Sequence, residues 1–370
     1  MIYDFLIIGA GSAGCNCAYA LNKAGKKVAI VDKEGICAGG SGAAGAFLSP
    51  LPGKKNSYNS LVNSALNYSI NFYENLLPNS VTKKGVLRVQ NDNFDETKLK
   101  DNEIEYEYKK FNDIEGYFYK DAAIINPSEI CNKLIEECDF FLFDVSELIY
   151  KDNIYHIGDL KAKQIILTQG VNTPIISYPY LKISPVFGVK IDVKTSTNVP
   201  FNIHKSISVS TNKKDGTVAI GATSINHFLE GIECTTTCDK CMFLINNDEE
   251  DVKSLLSQAD ELINLKDLEV IKVYKGARAT VKSYFPVMGK IINYNESIKK
   301  YPAIKNGRKI PNDLLEYYPN VYALNALGSR GFVFGPYLAK ILKENILDGV
   351  DIPKDTSLEK LFYKMARRKS

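Results

Sequence analysis

The hydrophobic positions of this 370-residue chain change period several times, and those changes mark its elements. Residues 3–8 form an apolar run, a predicted strand. A glycine-rich stretch at 9–14 follows, then residues 12–24 with apolar positions at helical spacing, then a second apolar run from Lys27 that ends on Asp32. This order predicts strand, helix and parallel strand. Leu61, Ala65, Leu66, Tyr68, Ile70, Phe72 and Tyr73 draw an apolar stripe along residues 56–77, a predicted helix that Pro78 ends.

Between residues 82 and 125 the pattern turns to short strands broken by polar runs. Residues 127–138 predict a helix opened by Pro-Ser, and 163–168 a buried strand closed by Gln169-Gly170. Residues 185–221 are strand-rich, 249–263 form an amphipathic helix, and 272–274 lie in a strand. From Val321 the order is strand, glycine turn, helix and basic tail. The fold class expected is α/β: a Rossmann-like domain built from residues 1–80, 128–172 and 320–370, covered by a mixed or antiparallel sheet from 81–127 and 173–319.

The first strand–helix junction carries candidate chemistry. Gly9-Ala10-Gly11-Ser12-Ala13-Gly14 is a GxGxxG between strand and helix, and Asp32-Lys33 ends the next strand about twenty residues on. Gly9 permits the tight turn, Gly11 lets backbone approach a pyrophosphate, and Gly14 lets helix pack on strand. The helix N-terminus, at Ser12 and Ala13, faces the negative charge. Asp32 is expected on the adenosine ribose. NAD and FAD share this fingerprint, and the small-residue run through Gly40, Ser41, Ala43, Ala44 and Gly45 favours the longer cofactor. Such a run lets backbone lie along an extended molecule, while the Ser41 hydroxyl can bond its phosphate or ribityl chain.

Composition narrows the picture modestly. With 46 Lys and Arg against 43 Asp and Glu, the net charge of +3 does not require a polyanionic partner. No apolar stretch is long enough for a membrane span, and the N-terminus enters a strand instead of showing a secretory signal, so a cytoplasmic location is expected. Most of the 8 cysteines are scattered, which predicts reduced thiols. Cys234, Cys238 and Cys241 are the exception, a CxxxCxxC spacing that could hold zinc or part of an iron–sulfur cluster, although ordinary loop thiols are the favoured reading. His227 is the nearest fourth ligand. His156, His204 and His227 stand apart from the glycine-rich segments and receive no chemical role.

Several segments together resemble the D-amino-acid oxidase-like family of FAD-dependent amine oxidases. They are residues 115–127, Gly276-Ala277-Arg278-Ala279-Thr280 with Phe285-Pro286-Val287-Met288-Gly289, and Leu327-Gly328-Ser329-Arg330-Gly331-Phe332. Residues 41–50 and the tail 364–369 extend the similarity to the oxidoreductase domains of bifunctional tRNA-modifying enzymes. The resemblance implies FAD, with Gly170 and the turn Gly328 to Phe332 against the cofactor, and Arg278 and Arg330 at the reacting end. It also implies tRNA as partner. The implied reaction oxidises a carboxymethylaminomethyl group on the wobble uridine, giving the aminomethyl form and glyoxylate. The methyltransferase domain fused in those enzymes is expected to be missing, because the flavin motif opens the chain.

Arg278 carries the most specific expectation, since its planar fork matches a substrate carboxylate bidentately. Free glycine or a D-amino acid would present the same carboxylate, so a free amino-acid oxidase is the alternative enzyme. A flavin-binding assembly or carrier protein is the alternative outside catalysis. The tail adds Lys354, Lys360, Lys364, Arg367, Arg368 and Lys369 beside Leu358, Leu361, Phe362 and Met365. One face can pack while the other meets RNA backbone.

Overall fold

A computed structural model describes the chain except for residues 91–103, 173, 227, 230–231, 234–247 and 368–370. The first strand, β1 (Tyr3–Ile8), has Phe5, Leu6 and Ile7 fully buried, as a central parallel strand with both faces covered requires. It pairs in parallel with β2 (Val28–Asp32) on one side and with Leu160–Leu167 on the other. Asp139–Leu142 extends the sheet beyond β2, and Tyr317–Asn325 lies parallel to Leu160–Leu167. The hairpin strands Ile149–Lys151 and Ile154–Ile157 add an antiparallel edge.

Helix α1 (Ser12–Asn22) packs against the helices Pro127–Ile135 and Gly331–Asp348, and α2 (Ser57–Leu76) packs on Gly331–Asp348. They bury one face of the sheet around Phe5, Ile7, Ile30 and Leu324. The other face packs Leu6, Ile165 and Ala323 against Tyr178, Tyr180, Ile291 and Phe362. The side chains of α2 also organise the far end of the chain. Ser69 Oγ donates to the Val333 carbonyl at 2.6 Å and Tyr73 Oη to the Phe332 carbonyl at 3.0 Å, both inside the protein. Two backbone acceptors at the start of Gly331–Asp348 are thereby satisfied away from water.

A second, nine-stranded sheet is antiparallel except where Asn202–His204 runs parallel to Val86–Val89. Its longest ladder joins Ser184–Lys194 to Glu269–Thr280 over eleven paired positions, with a register shift at Asp192/Val193. The sequence pattern marks only residues 272–274 there; pairing with the long partner strand carries the segment on through Gly276 to Thr280. Leu87, Ile191, Ile203 and Ile220 face Leu255 and Ala259 of the helix Asp248–Asp260 and Leu262 just beyond it. Val287–Ile292 falls in the range expected for this sheet, yet it pairs antiparallel with Tyr317–Asn325 in the first. Apolar positions alone do not choose between two sheets that both offer a buried edge.

Cys15, Cys17, Cys37 and Cys131 are buried free thiols, and Cys138 is a partly buried one. Cys234, Cys238, Cys241 and His227, the candidates for zinc or an iron–sulfur cluster, lie outside the described residues. No metal-binding group occurs among the described residues. The tail helix Leu358–Ala366 buries Leu358, Phe362, Tyr363 and Ala366 and leaves Lys364 exposed, with Arg367 exposed just beyond it. Among the described residues, no helix is long and apolar enough to cross a membrane.

Candidate active site

The C-terminal ends of β1 and Leu160–Leu167 open onto a cleft of about 1210 Å³ that runs from the glycine turn to the second sheet. This is where ligands meet an open parallel sheet. Gly9 turns the chain there at φ +111°, and a Cβ on it would lie 2.5 Å from the Thr168 carbonyl. The Thr168 hydroxyl donates to the carbonyls of Ile8 at 3.0 Å and Gly9 at 2.8 Å, tying the two strand ends together. Gly9, Gly11, Ser12 and Ala13 line the cleft. Gly14 does not; it lets helix meet turn, because a Cβ there would sit 1.8 Å from the Gly9 carbonyl oxygen.

Asp32 and Lys33 line the cleft at the end of β2. The Asp32 carboxylate accepts from Ala10 N at 2.8 Å through Oδ2 and from Glu34 N at 2.8 Å through Oδ1. It therefore shapes the turn as well as facing the cleft. Lys33 Nζ lies 3.7 Å from Glu34, an exposed pair of little energetic weight. Gly40, Ser41, Ala43, Ala44 and Gly45 line the next stretch. Their smallness has two uses. Gly40 would meet the Ala277 carbonyl at 2.5 Å if it carried a Cβ, and Gly276 would meet the Ala43 side chain at 2.7 Å, so two backbones pass in contact. Ser41 Oγ accepts from Ser12 N at 2.9 Å, while Ser12 Oγ donates to the Gly331 carbonyl at 2.9 Å. Three remote segments are joined at the N-terminus of α1.

Gly328, Ser329, Arg330, Gly331 and Phe332 line the opposite side, with Gly170 near the floor. Gly170 adopts φ +59°, and its carbonyl accepts from Asn325 Nδ2 at 3.0 Å. Residues Gly328–Arg330 form one 3-10 turn leading into the helix Gly331–Asp348, whose first N–H groups have no intrahelical acceptor. Arg330 makes no ion pair among the described residues; its Nη1 donates to the Ser49 carbonyl at 2.8 Å. Burial lowers its pKa, and Tyr58 partly offsets that.

Arg278 lines the cleft from the strand Glu269–Thr280. Its Nη1 and Nη2 donate to the Thr223 carbonyl at 3.3 and 3.2 Å, and burial lowers its pKa. Arg88 escaped the sequence reading, and His204 received no role there. Arg88 and His204 face each other in register on Val86–Val89 and Asn202–His204, and both line the cleft. The available signal was one cation inside the otherwise apolar run Val86-Leu87-Arg88-Val89. His204 Nδ1 lies 2.8 Å from Ser208 Oγ. Burial first, then Arg88 and Arg330, depress its pKa to about 4.

These residues fit FAD on their own geometry. The turn at Gly9 and Gly11 carries no side chain where a pyrophosphate would approach, Asp32 lines the cleft at the end of the next strand, and the cleft continues from the turn to the second sheet. The chain is 27% identical over 93% of its length to the tRNA 5-methylaminomethyl-2-thiouridine biosynthesis bifunctional protein MnmC of Campylobacter fetus, and 24% identical over 92% to that of Legionella pneumophila. It spans about half the length of these relatives, 56% and 54%. Among solved structures, glycine oxidase from Bacillus cereus superposes with a TM-score of 0.72 at 18% identity, covering 94% of this chain and 96% of that one. Iminodiacetate oxidase from Chelativorans superposes at 0.66 and 16%, covering 95% and 98%. The family model for the FAD dependent oxidoreductases termed DAO matches residues 4–345, from the first strand into the last long helix, and the chain belongs to that family.

Proposed function

We propose that this chain oxidises the carboxymethylaminomethyl group of a wobble uridine in tRNA, releasing the aminomethyl uridine and glyoxylate. The observation that carries the reading is the similarity along 92–93% of the chain to proteins named for the biosynthesis of a methylaminomethyl uridine in tRNA. Arg278 supports it chemically. Of the five N–H groups a guanidinium carries, two go to the Thr223 carbonyl, which fixes the plane and leaves the others for a carboxylate. A carboxymethyl group held there presents its CH₂–NH bond inside the cleft.

FAD, when bound, supplies the acceptor for the electron pair and proton that leave the substrate's C–H bond. The nitrogen gives up its own proton as CH–NH becomes C=N. Water then adds to that carbon, the C–N bond breaks, and glyoxylate and the primary amine separate. The chain's contribution is position and field. The N-terminus of Gly331–Asp348 lines the cleft, and the positive end of its dipole favours negative charge that develops there. Gly40 and Ala43 bring the cofactor path against Ala277 and Gly276, next to Arg278, so anchor and acceptor share one wall.

The tail supports an RNA partner through Lys364 and Arg367 on its exposed side, and deleting residues 366–370 is expected to weaken tRNA binding with a reduced salt dependence. A second reading, oxidation of free glycine or another amino acid, draws on the fold shared with glycine oxidase. Anaerobic mixing separates the two. Flavin bleaching by tRNA carrying the carboxymethylaminomethyl uridine, without bleaching by glycine, is the expected result. Bleaching by glycine alone would replace the tRNA reading, and bleaching by neither would return the chain to a non-catalytic flavin carrier.

A further inference from the structure

The second sheet places a second cationic group in the cleft, well away from Arg278. Arg88 stands on Val86–Val89 and Arg278 on Glu269–Thr280, five strand spacings apart through the order 269–280, 184–194, 217–221, 208–209, 202–204, 86–89. At the usual spacing between strands the two backbones are about 24 Å apart along the sheet. Arg88 instead meets Arg330. Its Nη2 donates to Ser49 Oγ at 3.2 Å and to the Pro50 carbonyl at 3.1 Å, while Arg330 Nη1 takes the Ser49 carbonyl at 2.8 Å. Two guanidiniums therefore flank one short piece of chain, and His204 lies beside Arg88 in register.

Neither arginine is ion-paired among the described residues, and Arg88 Nε is buried with no hydrogen-bond partner. Among the described residues, every acceptor of the pair's hydrogen bonds is neutral: a hydroxyl and two carbonyls. Holding two like charges at a buried wall costs stability unless an anion completes the arrangement. Burial first, then Arg88 and Arg330, depress the pKa of His204, so the ring is neutral at neutral pH and adds no third cation to the corner.

We propose that Arg88 is a specificity residue: with Arg330 it forms an oxyanion-binding corner that takes a second anionic group of the substrate, a phosphate or a carboxylate, distinct from the carboxylate at Arg278. The corner selects substrates by charge at their far end. An amine bearing only one carboxylate leaves it unfilled. The inference does not require the substrate to be tRNA, since a phosphodiester and a second carboxylate offer the same oxygens.

The test uses the FAD-loaded protein at constant ionic strength and inorganic phosphate as probe, read by perturbation of the flavin spectrum. Wild type is expected to bind phosphate saturably, Arg88→Gln at least about tenfold more weakly, and Arg278→Gln within about threefold of wild type. Arg88→Lys, which keeps the charge, is expected to retain most of the affinity and so separates lost charge from lost fold. Equal affinity in wild type and Arg88→Gln, no saturable binding in wild type, or weakening only in Arg278→Gln would each overturn the corner. Two further arms identify the source of the oxyanion. If Arg88→Gln erases a preference for the carboxymethylaminomethyl-uridine 5′-phosphate over its nucleoside, the group is a phosphate; if it erases a preference for iminodiacetate over N-methylglycine, the group is a carboxylate. Neither preference changing would overturn the specificity role even where phosphate binds. All of these are binding measurements, so they stand whether or not tRNA bleaches the flavin.

Discussion

The glycine turn and the covering wall face the same cleft but are built in opposite ways. The turn draws Gly9, Gly11, Ser12, Ala13, Gly14 and Asp32 from the twenty-four residues 9–32, and its shape is set mainly by close sterics and short-range bonds: a positive φ, a missing Cβ, a carboxylate accepting from Ala10 and the next loop. The wall gathers Arg88, His204, Arg278 and Arg330 from four remote segments, and each is placed by strand register or by a hydrogen bond to a distant carbonyl. A local motif tolerates almost no change in shape. A wall assembled from remote strands depends in addition on register and on the charges it gathers.

The comparison is broken most severely at Gly14. Gly14→Ala puts a methyl group 1.8 Å from the Gly9 carbonyl and 2.8 Å from Thr168 Oγ1, so helix and turn cannot both hold their places. Loss of more than about 3 kcal/mol is expected, with purified protein that carries no flavin by its absorbance ratio. Arg278→Gln should do the reverse, leaving flavin content unchanged while kcat/KM for the tRNA substrate falls at least about a hundredfold, roughly 2.7 kcal/mol. Rapid-mixing reduction of the flavin reads both numbers; a drop in flavin content alongside activity would move Arg278 from the substrate to the fold.

The wall also predicts a pH effect that the turn does not. His204 titrates at about 4 in the folded protein, below its ordinary 6.5, because burial and the two arginines disfavour the cation. The unfolded chain then binds a proton that the folded chain refuses as pH falls from about 6.5 toward 4, and stability drops across that window. After allowance for solvent screening, the loss between pH 7 and pH 5 is about 1–2 kcal/mol. Urea unfolding of wild type and His204→Asn at the two pH values checks it, the variant being expected to lose less.

The smallest effect sharpens the comparison from within the scaffold. Tyr73→Phe removes the donor to the Phe332 carbonyl and leaves a buried acceptor unpaired, at a cost of about 1–2 kcal/mol in urea unfolding. Because that carbonyl sits at the start of Gly331–Asp348, flavin affinity should weaken as well, whereas a change at the second sheet's core should not touch it.

Period and motif determined a good part of this protein. The apolar run at 3–8, the helix after it and the acid at 32 specify a βαβ unit from contacts no more than about thirty residues apart, and local sterics leave few alternatives. The helices at Ser57–Leu76 and Pro127–Ile135 were legible for the same reason, with Asn56 and Asn126 as their caps and Pro78 beyond the first. Only the tertiary structure decided which sheet Val287–Ile292 joins, that Gly40 and Gly276 exist to let two backbones touch, and that Ser41 accepts from the first N–H of α1. It alone brought Arg88 and His204 beside Arg330. A lone cation in a strand says that one face is special, but strand pairing across more than a hundred residues decides what it faces, and that register is fixed by the packing of the whole sheet rather than by any neighbour in sequence.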